Sequence, residues 1–343
     1  MIIRTRAHPR AALIGNPSDG FFGKTIAFTF RNFRAEITLY ETPELEIAPS
    51  TRDHNRFQTM RSMFDDIRRF GYYGGIRLIK AAIKRFFQHC EESGICIDGR
   101  NFTIRYTTDI PTHLGLAGSS AIITACFRAL MQFYEVAIDA PLLANLILAA
   151  ETEELGIPAG LQDRVAQTYD CPVYMDFDQS LMESRGYGRY EPIESVTFPP
   201  LYIAYRTELS EGSEVMHSNL RYRYRRGEPE VLDAMRFWAA LTDQAREVLL
   251  AGEAHAKLGA LLDQNFDMRQ RICSISEGNR AMIDCARRLG ASAKFTGSGG
   301  AIIGAYDGEE MYARLVEEMA LLRVNVLRPV IQNAERTDAH DGA

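Results

Sequence analysis

Two glycine-rich segments and a few carboxylates carry the residue types that handle phosphate. The first segment is Pro111-Thr112-His113-Leu114-Gly115-Leu116-Ala117-Gly118-Ser119-Ser120-Ala121. It follows a β-rich run and opens an apolar helix. Gly115 and Gly118 let the backbone turn and come close to a ligand, while Ser119 and Ser120 stand where N-caps stand, beside unpaired backbone N–H groups. Such a helix start favours an anion, because the N–H groups and the helix dipole act together, and serine hydroxyls there can reach a magnesium ion. The bland alternative is a Gly-Ser turn that only caps a helix. The second segment, Ala293-Lys294-Phe295-Thr296-Gly297-Ser298-Gly299-Gly300-Ala301, lies directly before an apolar strand. Between the two, Asp163 follows the turn at Pro158-Ala159-Gly160, and Glu151 lies twelve residues earlier, near a helix end with Glu153 and Glu154. A carboxylate pair can hold Mg2+ and accept a proton; a solvated helix end is the alternative. A GxxxxGK(S/T) motif is missing, so this is not a P-loop NTPase.

The elements that must position these residues read as a mixture of strands and helices. Strands are expected at 11–14, 25–30, 35–40 and 102–107, rich in Ile, Thr, Phe and Tyr. Ile76, Ile79, Ile83, Phe86 and Cys90 fall at helical spacing between Gly74-Gly75 and Gly94. Residues 119–134 form a second helix whose strongly polar positions, Thr124, Arg128 and Gln132, make one thin stripe, so it is buried. A third helix covers 140–155, and strands follow at 173–177 and 201–205. The second half is more helical, with helices at 229–251, 254–264, 277–289 and 308–322 and strands at 301–306 and 324–331. The region 180–200, with Gly186, Gly188 and Pro199-Pro200, is the expected border, giving domains 1–195 and 196–343. The polar tail 332–343 is expected to fray.

Composition narrows the function class. The chain has 343 residues, 46% hydrophobic and 24% charged, which suits two globular domains. A net charge of -6 argues against a nucleic-acid partner, and the arginines between Arg221 and Arg226 read as a solvated face or a substrate-side loop. The six cysteines lack CxxC spacing and read as buried thiols, and no His/Cys spacing supports zinc. No run reaches the roughly 18 apolar residues of a membrane span, and no start resembles a signal peptide. A cytoplasmic protein without a membrane partner is therefore expected.

Taken in order, three blocks resemble the GHMP kinases. Residues 7–19, Ala-His-Pro-Arg-Ala-Ala-Leu-Ile-Gly-Asn-Pro-Ser-Asp, look like the galactokinase signature, and the other two blocks are the glycine-rich segments above. The runs GNPSD (15–19), YYGG (72–75), GLAGSSAI (115–122), AGLQDRVAQ (159–167), VYMDF (173–177), NFD (265–267) with Arg269 and Arg271, and KFTGSGGA (294–301) are similar to the plant-type glucuronokinase branch. Two departures stand out. Asn16-Pro17 replaces the Glu-His that touches sugar in galactokinases, which argues against galactose. The middle loop also carries one residue more than most members have before its paired serines.

The resemblance implies an α+β fold, with an N-terminal ribosomal-protein-like domain, a C-terminal ferredoxin-like domain and the active site in the cleft between them. It implies ATP and Mg2+, and a small sugar acid as substrate: D-glucuronate, phosphorylated at its anomeric hydroxyl. By the same resemblance Asp163 takes or orients the acceptor proton and Arg10 stabilises the oxygen as it turns nucleophilic. Asp19 bonds a sugar hydroxyl. Ser120 and Glu151 hold Mg2+. Gly115, Leu116, Ala117, Gly118, Ser119 and Ser120 cradle the triphosphate, and Thr296, Gly297, Ser298 and Gly299 close over it. A uronate needs a cation for its carboxylate; Arg164, Arg77 and Arg221 are the candidates, Lys24 is a looser option, nothing in the spacing selects among them, and Arg164 is the one taken. Tyr72 and Tyr73 are candidates for a sugar-side or adenine-side contact. His113 and His217 carry no assigned role. Other acceptors (galacturonate, arabinose, fucose or a mevalonate-type alcohol) and a ligand sensor without turnover are the competing readings.

Overall fold

The computed structural model describes residues 1–50, 53, 58–61, 74–112, 114–194, 197–206 and 220–333. Tyr72, Tyr73, His113, His217 and the tail from 334 lie outside the described residues. The chain packs as two compact units, each drawing on several stretches of sequence. The first comprises residues 1–8, 33–110 and 118–159, and the second 9–32, 111–117 and 160–343. The border expected at 195/196 lies inside the second unit.

In the first unit a four-stranded sheet is ordered β1–β4–β6–β5, where β1 is Ile2–Ala7, β4 Ala35–Thr42, β5 Glu46–Ala48 and β6 Asn101–Thr108. β1, β4 and β6 pair antiparallel, and β5 joins β6 in parallel. In β4, Ala35, Ile37 and Leu39 face inward at every second position, as a sheet with one covered face requires. Among the described residues this unit carries α1 (Gly75–Glu92), α2 (Gly118–Tyr134) and α3 (Ala140–Thr152). The stripe expected to be polar on α2 turns inward at one position. Thr124 is fully buried, and its hydroxyl donates to the Ser120 carbonyl at 2.7 Å.

The second unit holds two sheets. One is ordered β2–β3–β7–β8, from β2 (Arg10–Ile14), β3 (Lys24–Thr29), β7 (Val173–Asp176) and β8 (Arg189–Pro192), all antiparallel. Helix α4 (Leu161–Tyr169) leads into β7, and α5 (Gln179–Arg185) joins β7 to β8. Neither helix stood out in the sequence, since each is shorter than the window over which helical periodicity registers. The other sheet is ordered β10–β11–β9–β12, from β9 (Leu201–Tyr205), β10 (Lys294–Phe295), β11 (Ala301–Ala305) and β12 (Asn325–Leu327), again antiparallel throughout. Helices α6 (Pro229–Leu250), α7 (Ala254–Ile272), α8 (Glu277–Arg288) and α9 (Gly308–Leu321) also belong to this unit. The core beneath the β9 sheet gathers Tyr202, Phe266, Met282, Ile283, Phe295 and Leu315. Helix α7 extends well past the 264 expected, because Phe266 and Ile272 continue its buried face. This antiparallel sheet with its helices is the ferredoxin-like domain of a two-domain α+β fold.

Candidate functional site

Strand β2 brings the site of the second unit together. The backbone N–H groups of Arg10 and Ala12 are two residues apart and so point to the same edge of the strand. That of Arg10 donates to the Leu116 carbonyl at 3.1 Å, and that of Ala12 to the Thr296 carbonyl at 2.9 Å. One short strand therefore ties down both glycine-rich loops. The Arg10 side chain repeats the arrangement: its Nη1 donates to the carbonyls of Gly115 and Thr296, and its Nη2 to Asp163 Oδ1. Arg10 is only 4% exposed, and its Nε has no hydrogen-bond partner among the described residues.

The two loops touch, which explains two of the glycines. Gly115 holds a left-handed φ of 63°, and a Cβ there would also stand 3.1 Å from the Ser298 nitrogen. Gly297 needs no left-handed backbone, but a Cβ on it would come within 2.5 Å of the Gly115 carbonyl oxygen. Ala117 is left-handed without being glycine (φ 61°). Its carbonyl accepts from Gln167 Nε2 at 2.8 Å, four residues and one helical turn beyond Asp163 on α4. Both loops thus keep backbone close to backbone and leave no room for side chains, the arrangement a phosphate chain requires.

Asp163 sits in the first turn of α4 with its carboxylate between two guanidinium groups. Oδ1 accepts from Arg10, and Oδ2 lies 3.3 Å from Arg164 Nη1. The same Arg164 nitrogen donates to the Gly160 carbonyl at 2.8 Å, so Arg164, 5% exposed, is anchored by its own helix start. Asp19 lies on a short 3-10 turn, Ser18–Phe21. Its carboxylate stands 3.3 Å from where a Cβ on Gly160 would be. Burial pushes the Asp19 carboxyl up to about 6, and the negative Asp163 adds to this against the pull of Arg10 and Arg164. The structure therefore groups Arg10, Asp19, Asp163, Arg164, Gly115, Thr296, Gly297 and Ser298 in one unit, with Leu116 and Ala117 in the first loop and Gly299 in the second.

Gly118, Ser119, Ser120 and Glu151 belong to the first unit. Gly118 starts the 17-residue α2, with Ser120 buried in its first turn. Glu151 is 1% exposed on α3, and its carbonyl accepts from the Ile157 N–H at 2.8 Å. A hydroxyl and a carboxylate are the oxygen donors a hard cation such as Mg2+ takes, with phosphate oxygens and water completing its shell. Of the other cations considered for the substrate, Arg77 donates to the Leu155 carbonyl at 3.4 Å and Arg221 is exposed. Lys24 is committed to Asp243 at 2.7 Å, with Asp176 at 3.8 Å.

Four residues that sequence reasoning gave no structural part lie beneath the second loop. Asn16 is 3% exposed. Its Nδ2 lies within 3.4 Å of the Phe295 carbonyl and 3.5 Å of the Gly297 carbonyl, and its Oδ1 accepts from Lys294 Nζ. Asn16, which stands where galactokinases have the Glu that touches sugar, spends its side chain here on bracing the fold. Lys294, fully buried, also donates to the Ala12 carbonyl at 2.8 Å. Burial, with Arg269 and Arg10 nearby, pushes its ammonium well below the ordinary lysine range. Asn265 accepts from the Gly15 N–H at 2.7 Å and donates to the Asn16 carbonyl at 3.1 Å. Arg269 donates to the Gly297 and Ser298 carbonyls at 2.8 and 2.6 Å. The available signal was the four-residue spacing of Asn265 and Arg269, which puts two polar residues on one face of a helix.

Residues 77–170 match the family model for the GHMP kinases N terminal domain. Over 334 residues, 96% of this chain and 91% of the relative, the sequence is 38% identical to glucuronokinase 1 of Arabidopsis thaliana. The chain belongs to the GHMP kinase family. Probable glucuronokinase 2 of the same plant is 38% identical over 336 residues, covering 96% of this chain and 91% of its own length. Lactococcus lactis galactokinase, solved with galactose, shares the fold at a TM-score of 0.74 with 14% identity, over 97% of this chain and 94% of that one. The protein is an ATP-dependent small-molecule kinase with the two-domain α+β fold of that family. Among the described residues, no helix is long and apolar enough to cross a membrane.

Proposed function

We propose that this kinase transfers the γ-phosphoryl group of ATP to the anomeric hydroxyl of D-glucuronate, giving glucuronate 1-phosphate and ADP. The observation that carries the reading is the Asp163 carboxylate held between Arg10 and Arg164 with Asp19 beside it. Near-full-length similarity to proteins named glucuronokinase supports the choice of acceptor.

Phosphoryl transfer asks a protein for in-line positioning and charge neutralisation more than for covalent work. Asp163 orients the acceptor hydroxyl and takes its proton as the bond to phosphorus forms. Arg10, fixed by three protein acceptors, keeps Asp163 in place and offers positive charge to the developing alkoxide. Asp19 accepts a hydrogen bond from a sugar hydroxyl. Arg164 is our choice for the uronate carboxylate, because its guanidinium stands beside Asp163 in the same unit. The backbone N–H groups of residues 115–120 and 296–299 line the triphosphate. Ser120 and Glu151 would hold Mg2+, which would supply charge neutralisation at the phosphates. We keep 1–195 as the nucleotide-binding domain and 196–343 as the C-terminal domain, and place the enzyme in the cytoplasm.

The deciding assay measures ADP release with MgATP against glucuronate, galacturonate, galactose, glucose and mevalonate, with 31P NMR of any product. Selective conversion of glucuronate to a 1-phosphate is expected. Turnover of another acceptor would keep the kinase and discard glucuronate. ATP binding with no turnover across the panel would favour a sensor.

A further inference from the structure

We propose that Arg269 is the positioning residue of the second glycine-rich loop: its buried guanidinium holds the carbonyls of Gly297 and Ser298 and thereby turns the loop's N–H groups toward the nucleotide phosphates. The inference rests on the reading of this site as ATP-binding and adds a residue to it.

The argument begins with peptide geometry. In a trans peptide the carbonyl of one residue and the N–H of the next point in opposite directions. Arg269, on α7, donates to the Gly297 and Ser298 carbonyls at 2.8 and 2.6 Å. The N–H groups of Ser298 and Gly299 must therefore point away from it. The Ser298 nitrogen lies 3.1 Å from where a Cβ on Gly115 would stand, so this N–H side of the loop faces the first glycine-rich loop. Successive N–H groups turned to one side make an anion-binding concavity.

The arginine itself is built into the core. It is 2% exposed and its guanidinium carbon stacks 4.7 Å from the centre of the Phe295 ring. One turn back on the same helix, Asn265 holds the Gly15–Asn16 backbone, and Asn16 Nδ2 also reaches the Gly297 carbonyl at 3.5 Å. A loop of four small residues has little side-chain packing to hold one conformation. Here its peptide planes are set from behind by a fork of two N–H donors, which lysine cannot reproduce. A positive charge directly behind the loop also favours an anion in front of it.

The test uses the full chain with Arg269→Met and Arg269→Lys, reading nucleotide affinity by calorimetry, kcat and KM for ATP and for the acceptor separately, and thermal midpoint. Arg269→Met is expected to lose on the order of 10²-fold in kcat/KM for ATP, as misplacement of a phosphate cradle costs, with acceptor KM unchanged. Arg269→Lys is expected to recover roughly tenfold of this, the share of one charge-assisted hydrogen bond. A folded Arg269→Met with wild-type ATP affinity and turnover would overturn the proposal. So would losses shared equally by ATP and acceptor and scaling only with the fall in thermal midpoint. If Arg269→Met does not fold, Arg269→Lys decides: wild-type handling of ATP overturns the proposal, and a selective ATP defect supports it. Nucleotide affinity is measured without any acceptor, so a wrong assignment of glucuronate would leave this result intact.

Discussion

The two glycine-rich loops reach similar ends by different means. The loop at 111–117 turns left-handed at Gly115 and Ala117, and its carbonyls at Gly115, Leu116 and Ala117 accept from Arg10 and Gln167. The loop at 296–300 depends on groups from elsewhere in the second unit. Arg269 and Asn16 take its carbonyls, and Asn279 Oδ1 accepts the Gly300 N–H at 2.9 Å. The glycines of both loops show themselves in local sequence, whereas the distant side chains that hold their carbonyls do not. The two meet at Arg10, which donates to a carbonyl in each.

The largest expected effect lies at that junction. Asp163→Ala, which removes the carboxylate Arg10 holds, should lower kcat by about 10²–10⁴-fold while ATP affinity, measured by calorimetry, stays near wild type. A loss of ATP affinity instead would mean that Arg10 depends on Asp163 to hold the loops. Gly297→Ala should come next. Its Cβ would stand 2.5 Å from the Gly115 carbonyl, so the loops must part. Steady-state kinetics should register a fall in kcat/KM on the order of 10²-fold, and the thermal midpoint should drop. Gly115→Ala would add backbone strain of roughly 1–2 kcal/mol; if it proves milder than Gly297→Ala, room between the loops matters more than handedness.

Asp19 sharpens the comparison through pH, because its turn follows the Gly15–Asn16 stretch braced by Asn265. With its carboxyl raised to about 6, mainly by burial, Asp19 is ionised above that value and protonated below it. Acceptor kcat/KM should therefore fall as pH drops through about 6, and Asp19→Asn should be weak at every pH and lack that limb. The stability sign is the reverse. The neutral form of this half-buried carboxyl suits the folded state, so this contribution is whole below the unfolded value of 3.8 and is lost as pH rises through about 6. Denaturant titrations of wild type and Asp19→Asn across that window check it. The smallest effect is expected at the rim of the second loop. Asn279→Ala removes one of its several braces and should cost about 1 kcal/mol with kcat close to unchanged.

Sequence by itself determined the chemistry on offer and most of the elements. Glycines, serines and a carboxylate at these spacings announce a phosphate-handling chain, and apolar periodicity marks helices such as Gly75–Glu92, because both are properties of neighbouring residues. It missed the short helix Leu161–Tyr169 that presents Asp163, whose nine residues are too few for periodicity to register. Only the tertiary structure decided the partners. That Asn16 faces Lys294 and Gly297, that Arg10 joins two loops, and that Arg269 stands behind the second loop are contacts between residues far apart in the chain. Local spacing cannot encode such pairs. They exist because burying a charged or amide side chain requires that its hydrogen bonds be met, and which groups meet them is settled when the sheets and helices pack.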